Sequence, residues 1–476
     1  MAVCLVLLAS VPGSCRDLPS SSRSLTLPLR RSRPSVDALL RAQRRQLTLF
    51  PPPPSPSAPA TGPASEPAEA GPTLPGGSPA PAVGSRVMGA ITLRDMKNTF
   101  TVDVMMGTPP QPRSLKVGFN QYLSWTFCTG ALPDKAVSPP FAMGTSSSLK
   151  YSACASASCQ HLQTTQVATC ATAKCDVARY DDDTQTDGIT GQLVSDFVQF
   201  KGDPSSRFTF DGMACITSFT GEYLNFTADG VLGLGQSSGS FFASVTQQLQ
   251  LPKILSLCFN STGHTQRSAS AFAGTNTEVD DGGGVVVGEP PAWITYPNGL
   301  LGSSTPLVAV EATAEAPVAF YAASTTGWSV GYDVVAPPAK PVVIFGSTSF
   351  LTIVPSITLT SIASAIQQAT NSAPTEVPLG GGTMIFFASP LCSVDSFPDI
   401  TLTFTGGAKL TAKPEDYTLV LKSRTGCVIV LGLASHPTMS SIILGMSMLQ
   451  SQWLTFDMSV ANSVLKIGTG PCSATI

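Results

Sequence analysis

Charge is scarce in this sequence: 12% of its 476 residues are Asp, Glu, Lys or Arg, and the formal net charge is −3. A surface so sparsely charged offers no broad basic field, so neither nucleic acid nor acidic lipid is expected as a partner. Histidine is scarcer still, with residues only at 161, 264 and 436, none close to another in sequence. Metal chemistry through imidazoles therefore has little to build on, and no metal and no cofactor is expected. No apolar run is long enough to span a bilayer, so no membrane is expected either. From Met88 onward helical periodicity is also rare, clear only at Ser240 to Leu249 and at Ile357 to Thr370, the second opening after Pro355.

What the sequence does have is apolar material, 43% of its residues, enough for two sizeable cores. From Met88 onward it runs in short stretches of Val, Ile, Thr, Phe and Leu broken by Gly, Pro, Asn and Asp, the texture of many short strands and a mostly β architecture. The front is different. Residues 1–15 (MAVCLVLLASVPGSC) are apolar, short and end in small residues, as in a secretory signal peptide. Residues 16–87 combine a basic, helix-like SVDALLRAQRRQL at Ser35 to Leu47 with a Pro-, Ala-, Ser- and Gly-rich linker from Pro51 to Pro81, either a propeptide or a dispensable tail. Residues 1–82 hold eight arginines against four acids, a charge of +4, which leaves −7 for the remainder of a chain whose total is −3. The expected division is an N-terminal β lobe over 88–310 and a C-terminal β lobe over 311–476.

Beyond Cys4 and Cys15, ten cysteines remain, Cys128, Cys154, Cys159, Cys170, Cys175, Cys215, Cys258, Cys392, Cys427 and Cys472, an even set suited to disulfides in an oxidising compartment. The sequons at Asn225 and Asn260 fit the same compartment as glycosylation sites. The spacing Cys154-x4-Cys159 and Cys170-x4-Cys175 also offers four thiolates for zinc, the weaker reading in a secreted chain. Gly235-Gln-Ser237-Ser-Gly239 has the form of a hydrolase nucleophile elbow, yet only His264 and His436 follow it and no oxyanion-loop glycines are evident.

Two halves echo each other. Val117-Gly118 with Val231-Leu232-Gly233 in the first is matched by Ile344-Phe345-Gly346 with Ile443-Leu444-Gly445 in the second. Together with Val104 to Gln111 (VMMGTPPQ), Leu123-Ser124-Trp125, Cys128, Cys175, Tyr180, Asp229 to Gly235 (DGVLGLG) and the Cys392 to Pro398 stretch, these residues resemble the pepsin-like aspartic peptidases. The likeness is greatest to the plant branch of nepenthesin-like enzymes and xylanase-inhibitor proteins, and runs from about Met88 to Cys472. The resemblance implies a two-lobed pepsin-like fold with a central cleft and a flap hairpin, and an Asp-bearing turn from each lobe meeting on the cleft floor. It also implies a cysteine-rich insertion before the flap.

The aspartic mechanism needs two close carboxylates sharing one proton, one acting as base on water while the other acts as acid. The family's spacing from Gln111 and from Trp125 places the first Asp position at Gly118, and a shift of two residues would place it at Asn120, an amide. The second position falls at Gly346, followed by Ser347, which keeps the family's turn hydroxyl, whereas Phe119 replaces its counterpart. Asp181, Asp182, Asp183 and Asp187 follow the flap tyrosine position, Tyr180, and read as a solvated hairpin tip; Asp103 lies far upstream of the turn. Trp125 is either a cleft aromatic or a core residue.

The resemblance thus implies a secreted homologue without its catalytic pair, a monomer binding a protein or peptide in its cleft or on a lobe surface. Its partner would include a glycoside hydrolase, in the cell wall or apoplast, with the vacuole as the alternative location. The rival expectation is an active aspartic endopeptidase, as the family label would have it.

Overall fold

The computed structural model describes residues 85–472 except 95–98, 120, 132–135, 171–172, 181–187, 222, 224–225, 261–279, 297–303, 309–319, 336, 338–341, 347–349, 380–381, 390–391, 424–425, 438, 460–461 and 471. The signal segment, the basic helix pattern and the Pro-rich linker lie outside the described residues, as do Asn120, the four flap acids, Asn225, His264 and Ser347.

Strand-forming, β-branched and aromatic residues dominate, and they assemble two sheets, of 15 and 11 strands among the described residues. In the first, Thr99–Met106 turns at Gly107 (φ 82°) and pairs antiparallel with Gln111–Gly118, with Thr101 opposite Lys116 and Met106 opposite Gln111. The pairing continues through Gly230–Gly233, Ser124–Phe127, Phe208–Phe219 and Gly188–Phe200. Gly188–Phe200 then pairs back onto Thr99–Met106 at Val198 to Phe200, so these six strands close on themselves and leave no edge. Asp176–Tyr180 pairs with Gly188–Phe200 as the outer strand of the flap hairpin, Arg179 opposite Ile189 and Tyr180 opposite Gly188.

The second sheet runs Pro374–Leu379, Gly382–Ser389, Gly426–His436, Thr352–Pro355, Ile442–Leu444, Val342–Phe345, Ala322–Val330, Ile400–Phe404, Lys409–Ala412. The end of the chain does not stay with it. Trp453–Asp457 pairs with Ile254–Phe259 of the first sheet, and Val464–Gly468 pairs with Trp453–Asp457, so the stretch after residue 311 supplies strands to both sheets. Cys258–Cys472 closes this return. The other described cysteines pair as Cys128–Cys215, Cys154–Cys170, Cys159–Cys175 and Cys392–Cys427, which removes the four thiolates that a zinc site would use.

Both expected helices form within a residue of their sequence bounds. Phe241–Gln248 starts at Ser240, whose hydroxyl accepts from the Ala243 amide. Ser356–Thr370 starts behind Pro355 and stops at Asn371 in the left-handed region (φ 53°). A third helix, Ala157–Thr164, capped by Ser156, sits in the cysteine-rich insertion, where weak amphipathicity hid it. No described helix is long and apolar enough to cross a membrane.

One apolar cluster runs through both sheets. At its centre Phe119 has no exposed surface, and its ring lies 6.3 Å from Phe259, 6.3 Å from Tyr321 and 6.1 Å from Phe456. Tyr321 packs 4.4 Å from Phe456, which meets Phe345 of the second sheet edge-on at 5.3 Å. The Tyr321 hydroxyl crosses the seam to donate to the Leu234 carbonyl at 2.8 Å, and complete burial keeps that phenol neutral by pushing its pKa upward. Phe119→Ala is expected to lower the unfolding free energy by about 3–5 kcal/mol, read as a fall in chemical-denaturation midpoint at unchanged m.

Candidate functional site: the floor of the cleft

The floor is built twice by the same local rule. In the first lobe Gln111–Gly118 runs parallel to Gly230–Gly233, with Val117 opposite Leu232 and Gly118 opposite Gly233; in the second Val342–Phe345 runs parallel to Ile442–Leu444, with Phe345 opposite Leu444. Backbone bonds finish each crossing: the Leu234 amide donates to the Gly118 carbonyl at 2.9 Å, and the Gly346 amide to the Leu444 carbonyl at 2.8 Å. Six residues beyond each glycine stands a hydroxyl that accepts from the glycine amide of the apolar-apolar-Gly motif: Ser124 from Gly233 at 2.9 Å, Thr352 from Gly445 at 3.0 Å.

Those two glycines are required by close approach. A Cβ on Gly233 would lie 2.9 Å from the Gln121 carbonyl oxygen, and one on Gly445 would collide with the Leu351 carbonyl. The turn backbone of each lobe thus passes directly over a glycine of the neighbouring strand. The sequence symmetry has this physical basis.

Gly118 and Gly346 both lie buried at the ends of the floor strands, in corresponding positions. Gln121 closes the first turn with its amide on the Gly118 carbonyl (3.0 Å), and its own carbonyl accepts from the Gly235 amide (2.8 Å). Its side chain covers Gly118: a Cβ there would meet Gln121 Cγ at 2.9 Å, Gln121 Cβ at 3.0 Å and Val231 Cγ1 at 3.0 Å. From that position Gln121 Oε1 accepts a 2.7 Å hydrogen bond from Arg179 Nη1 on the flap strand. Tyr122, next in the turn, stacks edge-on against His161 at 5.7 Å, donates to Thr165 Oγ1 at 3.3 Å, and packs on a small cluster of Phe320, Ala322 and Ile344 from the second lobe. Burial pushes the His161 imidazole below its usual 6.5, so the ring against Tyr122 is neutral at pH 7. Gln236 Nε2 adds a further bridge between lobes, to the Phe320 carbonyl at 3.3 Å.

The turn therefore sends Phe119 down into the seam, Gln121 up to the flap and Tyr122 sideways to the insertion helix and the second lobe. The sequence marks Phe119 only as a departure from a pattern and gives no sign of the roles of Arg179, Tyr122 and Tyr321. The only signal for Arg179 was its place beside Tyr180, and partners 58 residues apart announce nothing in composition.

Trp125 is core and not a wall of the cleft: it is 2% exposed, with Phe127 at 5.1 Å, Tyr223 at 5.8 Å and Phe226 at 4.9 Å around its ring. Strand pairing continues through Tyr180, which ends the outer flap strand. Asn260 keeps its amide on the Gly282 carbonyl (2.8 Å), while the rest of its sequon lies outside the described residues. Asp103 pairs with Lys201 at 3.3 Å on the barrel surface. Two buried acids of the first lobe, Asp229 and Asp196, are taken up by amides and hydroxyls instead of facing one another. Asp229 accepts from the amides of Ser114 (2.7 Å), Val137 (2.9 Å) and Ser138 (2.8 Å), and Asp196 from the Ser146 (2.8 Å) and Ser148 (2.6 Å) hydroxyls and the Phe197 amide (2.8 Å). Ser237 Oγ is buried without a hydrogen-bond partner, and so is His161 Nε2, so these two are not joined as nucleophile and base.

Comparison with known proteins agrees with this architecture. The xylanase-inhibitor N-terminal family matches residues 100–274 and the xylanase-inhibitor C-terminal family residues 338–466. Among solved structures, basic 7S globulin from soybean is similar at a TM-score of 0.58 and 15% identity, covering 82% of this chain and 98% of that one. A structure called EDGP is similar at 0.58 and 14%, covering 82% and 97%. At those identities the two show the fold alone. No curated protein matches the sequence.

Gly118→Asp is expected to destabilise by about 1–3 kcal/mol, since its side chain must displace Gln121 and Val231, and adding Gln121→Ala should recover part of the loss. Thermal or urea unfolding of the single and double variants reads both numbers.

Proposed function

The chain belongs to the xylanase-inhibitor-like branch of the pepsin-like aspartic peptidase family, and from that premise we propose that it is a secreted binding protein that has given up peptide hydrolysis. The observation that carries this reading is the pair of buried glycines, Gly118 and Gly346, at equivalent ends of the two floor strands. Peptide hydrolysis of the aspartic type needs a carboxylate at each of those points, because the shared proton is what divides the pair into acid and base. Glycine supplies neither. The register is supported by Ser124 and Thr352, each six residues on and each capping its motif glycine in the same way. In the alternative register the first position falls on Asn120, whose amide shuttles no proton at neutral pH.

Losing the pair costs the fold little, since buried like charges are themselves a burden. The partner we assign is a glycoside hydrolase, with an endoxylanase as the first to test. The disulfides suit a secreted protein of the cell wall or apoplast.

Titrating a purified endoxylanase with the protein and following xylan hydrolysis tests this directly. Saturable inhibition reaching completion near one equivalent is expected. Undiminished hydrolysis across a panel of endoxylanases, with no complex on size-exclusion chromatography, would remove the proposed partner class.

A further inference from the structure

We propose that the Arg179–Gln121 hydrogen bond is a latch that holds the flap strand on the cleft floor and shuts an extended peptide out, so that a partner is met outside the cleft. The inference rests on the placement of cleft and flap used for the proposed function, but concerns access to the cleft and not its chemistry.

Both ends of the latch are anchored. Gln121 is 9% exposed, and its backbone is fixed by the Gly118 carbonyl on one side and the Gly235 amide on the other. Its side chain has room to lie across the floor because Gly118 has no Cβ. At the other end, the flap strand Asp176–Tyr180 begins one residue after Cys175, which is fully buried and bonded to Cys159. The Ala178 amide donates to the Val167 carbonyl at 2.9 Å, and the Leu193 amide to the Cys175 carbonyl at 2.8 Å. The root of the flap is thereby tied to the insertion and to the inner strand. Between these fixed points the guanidinium and the amide oxygen are 2.7 Å apart, a charge-assisted contact in a partly desolvated place.

A peptide strand lying between floor and flap needs roughly 4.7–4.9 Å to each neighbouring strand. Gln121, lying over Gly118, and Arg179, on the flap strand, join floor to flap through their side chains, so a peptide entering between the two has to break that bond. The substitution that leaves the floor without a carboxylate also makes the space from which Gln121 reaches the flap. Loss of chemistry and closure of the cleft then share one cause.

The test compares the intact protein with Gln121→Ala and Arg179→Gln, by hydrogen exchange of the flap amides and by fluorescence polarisation with a labelled extended apolar peptide of ordinary residues. In both variants exchange over 176–180 and 188–192 is expected to rise about tenfold or more, while the helix Ser356–Thr370 is unchanged. The peptide should bind the variants and not the parent. Arg179→Gln leaves the packing over Gly118 in place, so it gives the same readout if Gln121→Ala unfolds. Equal flap exchange in all three proteins overturns the latch, as does parental binding of the peptide as tight as that of the variants. Faster exchange without peptide binding overturns the exclusion. Endoxylanase inhibition, measured in parallel on the same samples, separates failure of the latch from failure of the proposed function.

Discussion

Burial of the Phe119 ring is the constraint on which the middle of this molecule depends. The ring has no exposed surface, and the aromatic seam around it, Phe259, Tyr321, Phe456 and Phe345, draws on both sheets. Removing such a ring from water is worth a few kcal/mol by area alone, and the tilted contacts add to it. Because Phe119 follows Gly118 directly, the seam also fixes where the floor turn begins, and with it the directions taken by Gln121 and Tyr122. The return of Trp453–Asp457 to the first sheet brings Phe456 into the same seam, so chain topology and floor geometry are set together.

The proposed loss of hydrolysis fits this packing. A pair of carboxylates on the floor would need water, donors and a shared proton, whereas here the first position is covered by Gln121 and Val231 and backed by apolar rings. In the account proposed, the turn exchanged a catalytic role for three mechanical ones: joining the lobes, filling the vacated site and holding the flap. On that account recognition falls to the exterior, where specificity comes from the shape and placement of side chains and not from a dyad.

Much of the architecture was legible in the residues. The apolar-apolar-Gly pairs marked the parallel crossings of both floors because only glycine tolerates the carbonyls of the Gln121 and Leu351 turns so near. The helices at 241–248 and 356–370 were readable from their periodicity, the second also from the proline before it. Less visible were features that depend on distant partners. Trp125 could be read as core or as cleft until Tyr223 and Phe226 were seen around it, and helix 157–164 was hidden by its weak amphipathicity. Tyr321, 87 residues from the carbonyl it reaches, carries no local mark of its role. Nothing periodic announces a hydrogen bond between a floor glutamine and a flap arginine.

The central claim is that the floor bears no pair of carboxylates able to share a proton. Turnover of a haemoglobin-derived or fluorogenic peptide by the purified protein between pH 2 and 6, with and without pepstatin, tests it most directly. The account predicts a rate indistinguishable from the buffer control at every pH and no effect of the inhibitor. A pepstatin-sensitive rate with an acid optimum that co-purifies with the chain through successive columns would contradict it.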